Sequence, residues 1–337
     1  MSNGYVPITI TNNQSTATGT NFQQLLNINM DNYSSYLNSD LSNVYFSSDT
    51  AGANVIDSWL ESGNSNTSTN TIFWVLLANG IGANSSITIY MQIDLSGASH
   101  FNNTTTGEAP QLSGTYAEYD NGTIVFVNYW NFAGTSLPSG WTGTSGYYTV
   151  NNGLSTIYFN SGEAAVSPSG LNPQTTIIDA YAYSSGYLPS GDFDQFVDFY
   201  AGSSWGASYI YTITPSGTEY RLNNYSGSNW DTGVNIATGS TSSYQVFSIW
   251  ATTTASYGSM NYGTAVSDSS VDFGAFTSGT FASMPSASGY TFYYQWIRLR
   301  LVPPNATMPS ISEGSIVIPD TPTIVSTTSP IYEVMTW

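Results

Sequence analysis

Short apolar alternations with a period of two, each closed by turn residues, recur along this chain and constrain its fold more than any other feature. Val6, Ile8 and Ile10 alternate with Pro7, Thr9 and Thr11, and Ile87, Ile89, Met91 and Ile93 alternate with Thr88, Tyr90 and Gln92. Tyr290, Phe292, Tyr294 and Trp296 alternate with Thr291, Tyr293, Gln295 and Ile297. Successive strand side chains point to opposite faces, so each run offers one face to a core. The continuous runs Ile72–Leu77 and Ile124–Val127 read as strands buried on both faces. Asn-Gly at 79–80, 121–122 and 152–153, and Pro-Ser-Gly at 138–140, 189–191 and 215–217, supply the turns. Short helices are expected only near Phe22–Leu26 and Ser35–Leu41. Many short strands with regular turns predict an all-β chain of two tandem β-sandwiches.

The surface of such a fold is usually charged, and here it cannot be. The 337 residues hold 21 Asp or Glu against three cations, Arg221, Arg298 and Arg300, with no Lys, no Cys and one His. Three cations and a net charge of −18 at pH 7 exclude a nucleic-acid partner, which needs runs of Lys and Arg against phosphates. Without Cys there is no disulfide framework and no thiolate chemistry. A hydrophobic fraction of 40% and an aromatic fraction of 15% exclude a disordered chain. Carboxylates titrate near pH ~4. A surface of hydroxyls and amides keeps its hydration in acid and avoids the self-repulsion that drives acid unfolding. The composition therefore reads as that of a protein facing acid outside a cell; an ordinary secreted Ser/Thr-rich β protein is the alternative.

Met1–Thr20 contains no Lys or Arg and no long apolar run, and the longest apolar stretch, Ile72–Ala78, is far short of a bilayer span. No membrane insertion and no export signal are expected. An extracellular composition without an export signal fits a mature form, or a virion component assembled inside the host and released with its particle. A Thr/Asn/Ser-rich stretch at 98–114 marks a boundary. The expected organisation is an N-terminal β-sandwich over 1–100, a linker over 101–113, a second sandwich over 114–310 and an extended C-terminal arm over 311–337. The prolines from Pro303 onward break any central strand. Ile316–Val317–Ile318 and Ile324–Val325 offer short segments that can add to a sheet edge.

Family patterns enter at this point. Val6–Asn12, Val44–Asp49, Asp57–Gly63, Phe73–Val75 and Ser86–Met91 resemble an uncharacterised β-sandwich module of archaeal and bacterial surface proteins, over residues 5–93. Trp130–Trp141 and Tyr294–Arg300 resemble the concanavalin A-like jelly roll that often follows it, over residues 114–310. The resemblance implies a spike, turret or tail-fibre protein on the surface of an archaeal virion, binding host surface glycans or filaments and assembling with other virion subunits, as a homo-oligomer. A cell-surface adhesin or S-layer-associated lectin is the alternative, and an acid-active glycosidase or glutamic-type peptidase a third. No catalytic residues carry over, and a non-enzymatic protein without an obligate cofactor is expected.

Candidate site residues follow from local chemistry. Trp205, Trp230, Tyr209 and Tyr225 lie in Gly/Ser/Asn-rich segments, together with Tyr211 and Tyr257, and are expected to stack on sugars. Trp59, Trp74, Trp130 and Trp296 are assigned to the core. Asp192, Asp194 and Asp198 share a strand face and offer oxygens to calcium. Glu118 and Asp120 approach the E-x-D-x-E strand of laminarinase-type enzymes, but position 122 is Gly, and glycoside hydrolysis needs two carboxylates. Glu163 and Glu219 are isolated acids without a selected Gln partner. His100 reads as a surface histidine. Arg298 and Arg300 share a face with Trp296 and are expected to pair with nearby acids. N-glycosylation sequons stand at Asn13, Asn32, Asn66, Asn84, Asn102, Asn103, Asn121, Asn224 and Asn305.

Overall fold

A computed structural model describes residues 3–159, 163–185, 196–200, 206–213, 219–226, 229–230, 234–238, 243–269, 278–285, 289 and 291–319. The chain is all β, as its alternations imply. The first sandwich is built from β1 (Gly4–Asn12), β2 (Phe22–Ile28), β3 (Val44–Ser47), β4 (Val55–Ile56), β5 (Ser58–Ser62), β6 (Thr71–Leu77), β7 (Ser85–Ile93) and β8 (Thr106–Glu108). One sheet has the order β1-β7-β3-β4 and the other β2-β6-β5-β8. The alternation in β1 buries Val6, Ile8 and Ile10 completely, and Ile8 and Ile10 stand opposite Ile89 and Ile87 of β7. They meet Phe22, Leu26, Phe73 and Val75 of the facing sheet in a single core. Each such side chain contributes about 1.5–3 kcal/mol by leaving water.

Two local expectations are corrected. Phe22–Leu26 is not helical: β2 runs in unbroken antiparallel register with β6, from Phe22 opposite Leu77 to Ile28 opposite Thr71. The helical turn nearby is a 3-10 segment at Met30–Tyr36, where the Asn29 side chain accepts from the Asp31 N–H. Ile124–Val127 is not a strand: Gly122–Val125 forms a helical turn, α1, leaving Ile124 and Val127 each 45% exposed. Continuous short apolar runs carry no period, and here the Asp120 side chain accepts from the Gly122 N–H and starts a turn.

The stretch expected as a linker is built into the first sandwich. Thr106–Glu108 is buried and pairs in parallel with β5, Ser58 opposite Thr106 and Leu60 opposite Glu108. A side chain at Gly107 would collide with the Asn121 amide, so the strand fits only because that position is glycine.

The second sandwich contains β9 (Asn128–Trp130), β10 (Leu154–Ile157), β11 (Thr176–Ser185), β12 (Gln245–Ala251), β13 (Ser256–Met260) and β14 (Thr291–Leu301). Its larger sheet has eight strands among the described residues, in the order Tyr148–Val150, β10, β14, β11, β12, β13, Val266–Asp268, with β9 also on β14. The facing sheet uses Val197–Tyr200, Gly206–Ile213, Glu219–Ser226, Asn229–Trp230 and Val234–Thr238. Ile178, Ala180 and Ala182 of β11 and Phe292, Tyr294, Ile297 and Leu299 of β14 meet Phe196, Tyr220 and Leu222 in the core.

β14 does not keep a simple alternation. Ala182 stands opposite Tyr294 but Tyr181 stands opposite Trp296, so Gln295 is an extra residue in a bulge. The expected shared face of Phe292, Tyr294 and Trp296 is therefore broken. Phe292 and Tyr294 point into the sandwich, while Trp296 joins Tyr293, Arg298 and Arg300 outside it.

After β14 the chain returns to the first sandwich. β15 (Ser310–Glu313) extends the β1 sheet antiparallel, Ile8 opposite Glu313 and Thr11 opposite Ser310. Tyr5 and Val317 then exchange backbone hydrogen bonds of 2.9 and 2.8 Å. Tyr33 donates to the Glu313 carboxylate over the same edge, at 3.1 Å.

Candidate functional site

The outer face of the eight-stranded sheet carries two contrasting halves, and the bulge at Gln295 places both. In the first half Asp179 of β11, Ser248 of β12 and Arg298 and Arg300 of β14 project together. The first sandwich covers them with Glu61 of β5, Trp74 of β6 and Trp59 of β5. Arg298 Nε donates to Asp179 Oδ2 at 2.9 Å, and its Nη2 reaches Glu61 Oε2 at 2.8 Å. Arg300 Nε donates to the same Asp179 oxygen at 2.8 Å, and Ser248 Oγ to Asp179 Oδ1 at 2.7 Å. Glu61 Oε2 also accepts from Trp74 Nε1 at 2.8 Å and Tyr262 Oη at 2.6 Å.

The Arg298 guanidinium is fully buried and enclosed by rings, 4.4 Å from the centroids of both Trp74 and Phe126 and 4.6 Å from Trp296. Desolvated cation–π contacts of this kind are worth about 2 kcal/mol each. Burial alone would raise the Asp179 carboxyl, but the Arg300 and Arg298 guanidiniums outweigh it and hold the group below the usual carboxylate range. Two acids are thus matched by two arginines inside an aromatic shell, which joins the sandwiches. The expected ion pairs of Arg298 and Arg300 are present. Trp59, Trp74 and Trp296 are buried, but in the seam between the sandwiches rather than inside either one.

Beside the seam lies a cleft of about 430 Å³. The first sandwich contributes Leu25, Asn27, Glu61, Asn70 and Ile72 to its walls, and the second Tyr181, Val246, Asn261, Tyr262 and Trp296, with Gln111 between them. Trp296 Nε1 and Gln111 Oε1 are buried there without a hydrogen-bond partner, one a donor and one an acceptor. Clefts between domains, mostly apolar with a few converging polar groups, are the usual form of a small-molecule site.

The second half of the outer face continues from this cleft as a set of tyrosines. Tyr181 stacks on Trp296 at 5.5 Å and meets Tyr244 at 5.1 Å. Tyr244 meets Tyr183 edge-on at 4.7 Å, and Tyr183 stacks on Tyr293 at 4.5 Å. All four tyrosines are half-buried. Gln295, the bulge residue, donates from Nε2 to Tyr244 Oη at 3.1 Å, while its Oε1 is buried without a partner. Burial pushes the Tyr244 hydroxyl up to about 12.

The residues singled out from the sequence are placed differently. Trp205, Asp192 and Asp194 lie outside the described residues. Tyr209, Tyr225 and Trp230 fall in strands whose backbone pairing is described: Tyr225 opposite Trp230 and Ala207, and Tyr209 opposite Asn223. Ile210 opposite Leu222 and Thr212 opposite Tyr220 occupy the core register, so positions 209, 225 and 230 share the other face of their sheet.

Asp198 is not placed for calcium. It is fully buried, accepts from the Ala282 N–H at 2.7 Å, and burial raises its carboxyl well above the ordinary range, which disfavours the charged form a cation needs. No group of three or more metal-ligating side chains occurs among the described residues. Glu118 and Asp120 lie in a turn and not on a strand. Asp120 accepts from Trp59 Nε1, the Gly122 N–H, Tyr129 Oη and Asn131 Nδ2 at 2.8–3.0 Å, so it is a structural hub.

The Asn121 side chain is fully buried, which leaves no room for a glycan. Asn102 is committed to a turn, its Oδ1 accepting from the Thr104 and Thr105 N–H groups. Asn13, Asn32, Asn84, Asn103 and Asn305 are exposed, Asn66 is half-buried, and the Asn224 side chain is outside the description. His100 stacks on Tyr45 at 4.4 Å and contacts Asp94 at 3.0 Å.

No protein-family model matches the chain. It is 36% identical over 184 residues to uncharacterised protein 562 of Sulfolobus islandicus rod-shaped virus 1, a match covering 55% of this chain and 29% of that protein. The chain therefore spans well under half of that viral relative. Among solved structures it is similar to one described under endo-acting O-glycanases of the human gut microbiota, at a TM-score of 0.40 and 12% identity, covering 52% of this chain and 99% of the other. It is also similar to a Bacillus licheniformis β-glucanase, at 0.37 and 10%, covering 51% and 97%. A third is the laminarinase catalytic domain of Thermotoga petrophila, at 0.37 and 11%, covering 52% and 96%. Likenesses this distant assign no residue a role. They do correct the expectation of a non-enzymatic protein, because the structures that resemble the chain are those of carbohydrate-cleaving enzymes, and that expectation is withdrawn. No helix among the described residues is long and apolar enough to cross a membrane.

Proposed function

We propose that this chain is a glycan-recognising protein on the surface of an archaeal virion, and that it takes sugar in the cleft between its two sandwiches. One observation carries the reading: the cleft joins aromatic walls to amides from both sandwiches and has at its wall a buried donor, Trp296 Nε1, and a buried acceptor, Gln111 Oε1, that none of the described residues satisfies. A buried polar group without a partner costs about 1–3 kcal/mol, and a ligand hydroxyl can both donate and accept. The viral relative supports a place on a particle, alongside other virion subunits, and the scarcity of charged residues agrees with it.

The test is binding of the purified chain to the envelope fraction of Sulfolobus islandicus cells and to a glycan array, compared with Asn27→Ala and Asn70→Ala. Both residues are exposed on the cleft wall, so the fold should survive their loss. Binding weakened about fivefold or more by either change is expected. Binding unchanged by both, or none to any glycan, would overturn the reading.

A further inference from the structure

Resting on that reading, we infer that the ligand is a neutral linear polysaccharide bound along its length, and that the tyrosines outside the cleft form its track. The cleft alone would suit a terminal sugar. But its inner wall, Trp296 and Tyr181, is continuous with Tyr244, Tyr183 and Tyr293 through ring contacts of 4.5–5.5 Å. The register extends the track further. Tyr293 stands opposite both Tyr183 and Ser155, and Ser155 stands opposite Thr149. Thr149, Ser155, Tyr293 and Tyr183 thus lie on four neighbouring strands, and Tyr244 immediately precedes the fifth, β12. At about 4.8 Å per strand they cover roughly 19 Å, which is longer than a single sugar ring.

The chemistry of the track selects its occupant. Every side chain on it is a phenol or an aliphatic hydroxyl, with the Gln295 amide beside them, and none is charged. The arginines and acids of the same sheet face are turned to each other under the first sandwich. A charged polymer finds no counter-ion here, whereas a neutral polyol matches both rings and hydroxyls. The orphaned Gln295 Oε1 adds an acceptor at the middle of the track. Nor does an added peptide strand fit, because the track runs across the strands, whereas a peptide adding to the sheet would lie parallel to them along the Tyr148–Val150 edge.

The experiment uses neutral oligosaccharides of two to eight units, released by partial hydrolysis from the Sulfolobus islandicus envelope glycan and separated by size. Their affinities are measured by calorimetry on the full chain, on Tyr183→Ala and Tyr293→Ala, and on the two Tyr→Phe variants, with polygalacturonate as the charged polymer. Affinity should rise at least tenfold from the dimer to the hexamer. Each Ala variant should lose about five- to tenfold on the long fractions and nothing on the dimer, the Phe variants should keep most of the affinity, and polygalacturonate should not bind. Equal affinity for all lengths, or Ala variants that bind long fractions normally, would overturn the track while leaving the cleft standing. Tighter binding of polygalacturonate would overturn the neutral class. No binding of any fraction would remove the cleft reading as well. Melting temperatures of the variants separate lost contact from lost fold.

Discussion

Replacing Glu61 by Gln tests whether the seam is held by matched charge. The change keeps shape and leaves Asp179 facing both Arg298 and Arg300, so one buried positive charge has no counterpart. Removing one partner of a buried pair costs about 3–5 kcal/mol. At roughly 2–4 °C per kcal/mol, the melting temperature should fall by roughly 10 °C at pH 7. Arg298→Met makes the opposite error, leaving Glu61 and Asp179 to share Arg300. Combining the two restores one acid against one arginine, Asp179 and Arg300, with Ser248 still donating. The double variant should therefore melt above the Glu61→Gln and Arg298→Met single variants, by thermal near-ultraviolet circular dichroism, although it carries more changes. If the effects add, or if Glu61→Gln alone moves the melt by less than a degree, charge matching does not hold the seam and packing of the rings does.

Other consequences are separable. Asp120→Asn exchanges one acceptor oxygen for a donor and strands two of its four donors, which should cost about 2–5 kcal/mol in a denaturant titration. Removing residues 310–337 strips β15 from the β1 sheet and should speed hydrogen exchange at Tyr5–Thr11 while leaving β14 protected. Asp198→Asn mimics the neutral acid that burial favours. It should raise the melting temperature at pH 7 and leave it unchanged at pH 3; a lower value at pH 7 would show that the ionised form is the one the core accepts.

The sequence showed the first sandwich better than the second because its strands alternate cleanly. β1 and β7 each present a regular apolar face, and the register follows from it. β14 defeated the same rule through a single extra residue, Gln295, which no local pattern in Tyr-Tyr-Gln-Trp marks as a bulge. Trp296 therefore looked like a core ring when it belongs to the seam. The partners of Arg298 were hidden for another reason: Glu61 and Asp179 lie 237 and 119 positions away, and only the docking of two sheets brings them together. One signal for the tyrosine track was present. In Ala180–Tyr181–Ala182–Tyr183 the small residues alternate with aromatics, the reverse of an ordinary half-buried strand, which places rings outside and methyl groups inside. Choosing rings by their Gly/Ser/Asn neighbours pointed instead to the other sheet, at 209, 225 and 230.

The scarcity of charge gains a specific meaning from where the few charges sit. Of three cations, two are used to lock the sandwiches together against Asp179 and Glu61. Asp179 has a folded-state pKa below its unfolded value, so its contribution is present above the ordinary carboxylate range and is lost only as pH falls through the lower folded value. Asp57, Glu108, Asp120, Asp198 and Glu313 are shifted the other way, each chiefly by burial. A raised folded pKa means the native state takes up the proton more readily, so these five groups add stability as pH falls through that range. Acidification from neutral therefore relieves five buried or half-buried carboxyls before it threatens Asp179, one of the two acids that join the sandwiches. An ordinary domain loses its salt bridges along the same path, whereas here the acids that titrate first are the ones whose charge the fold least wants.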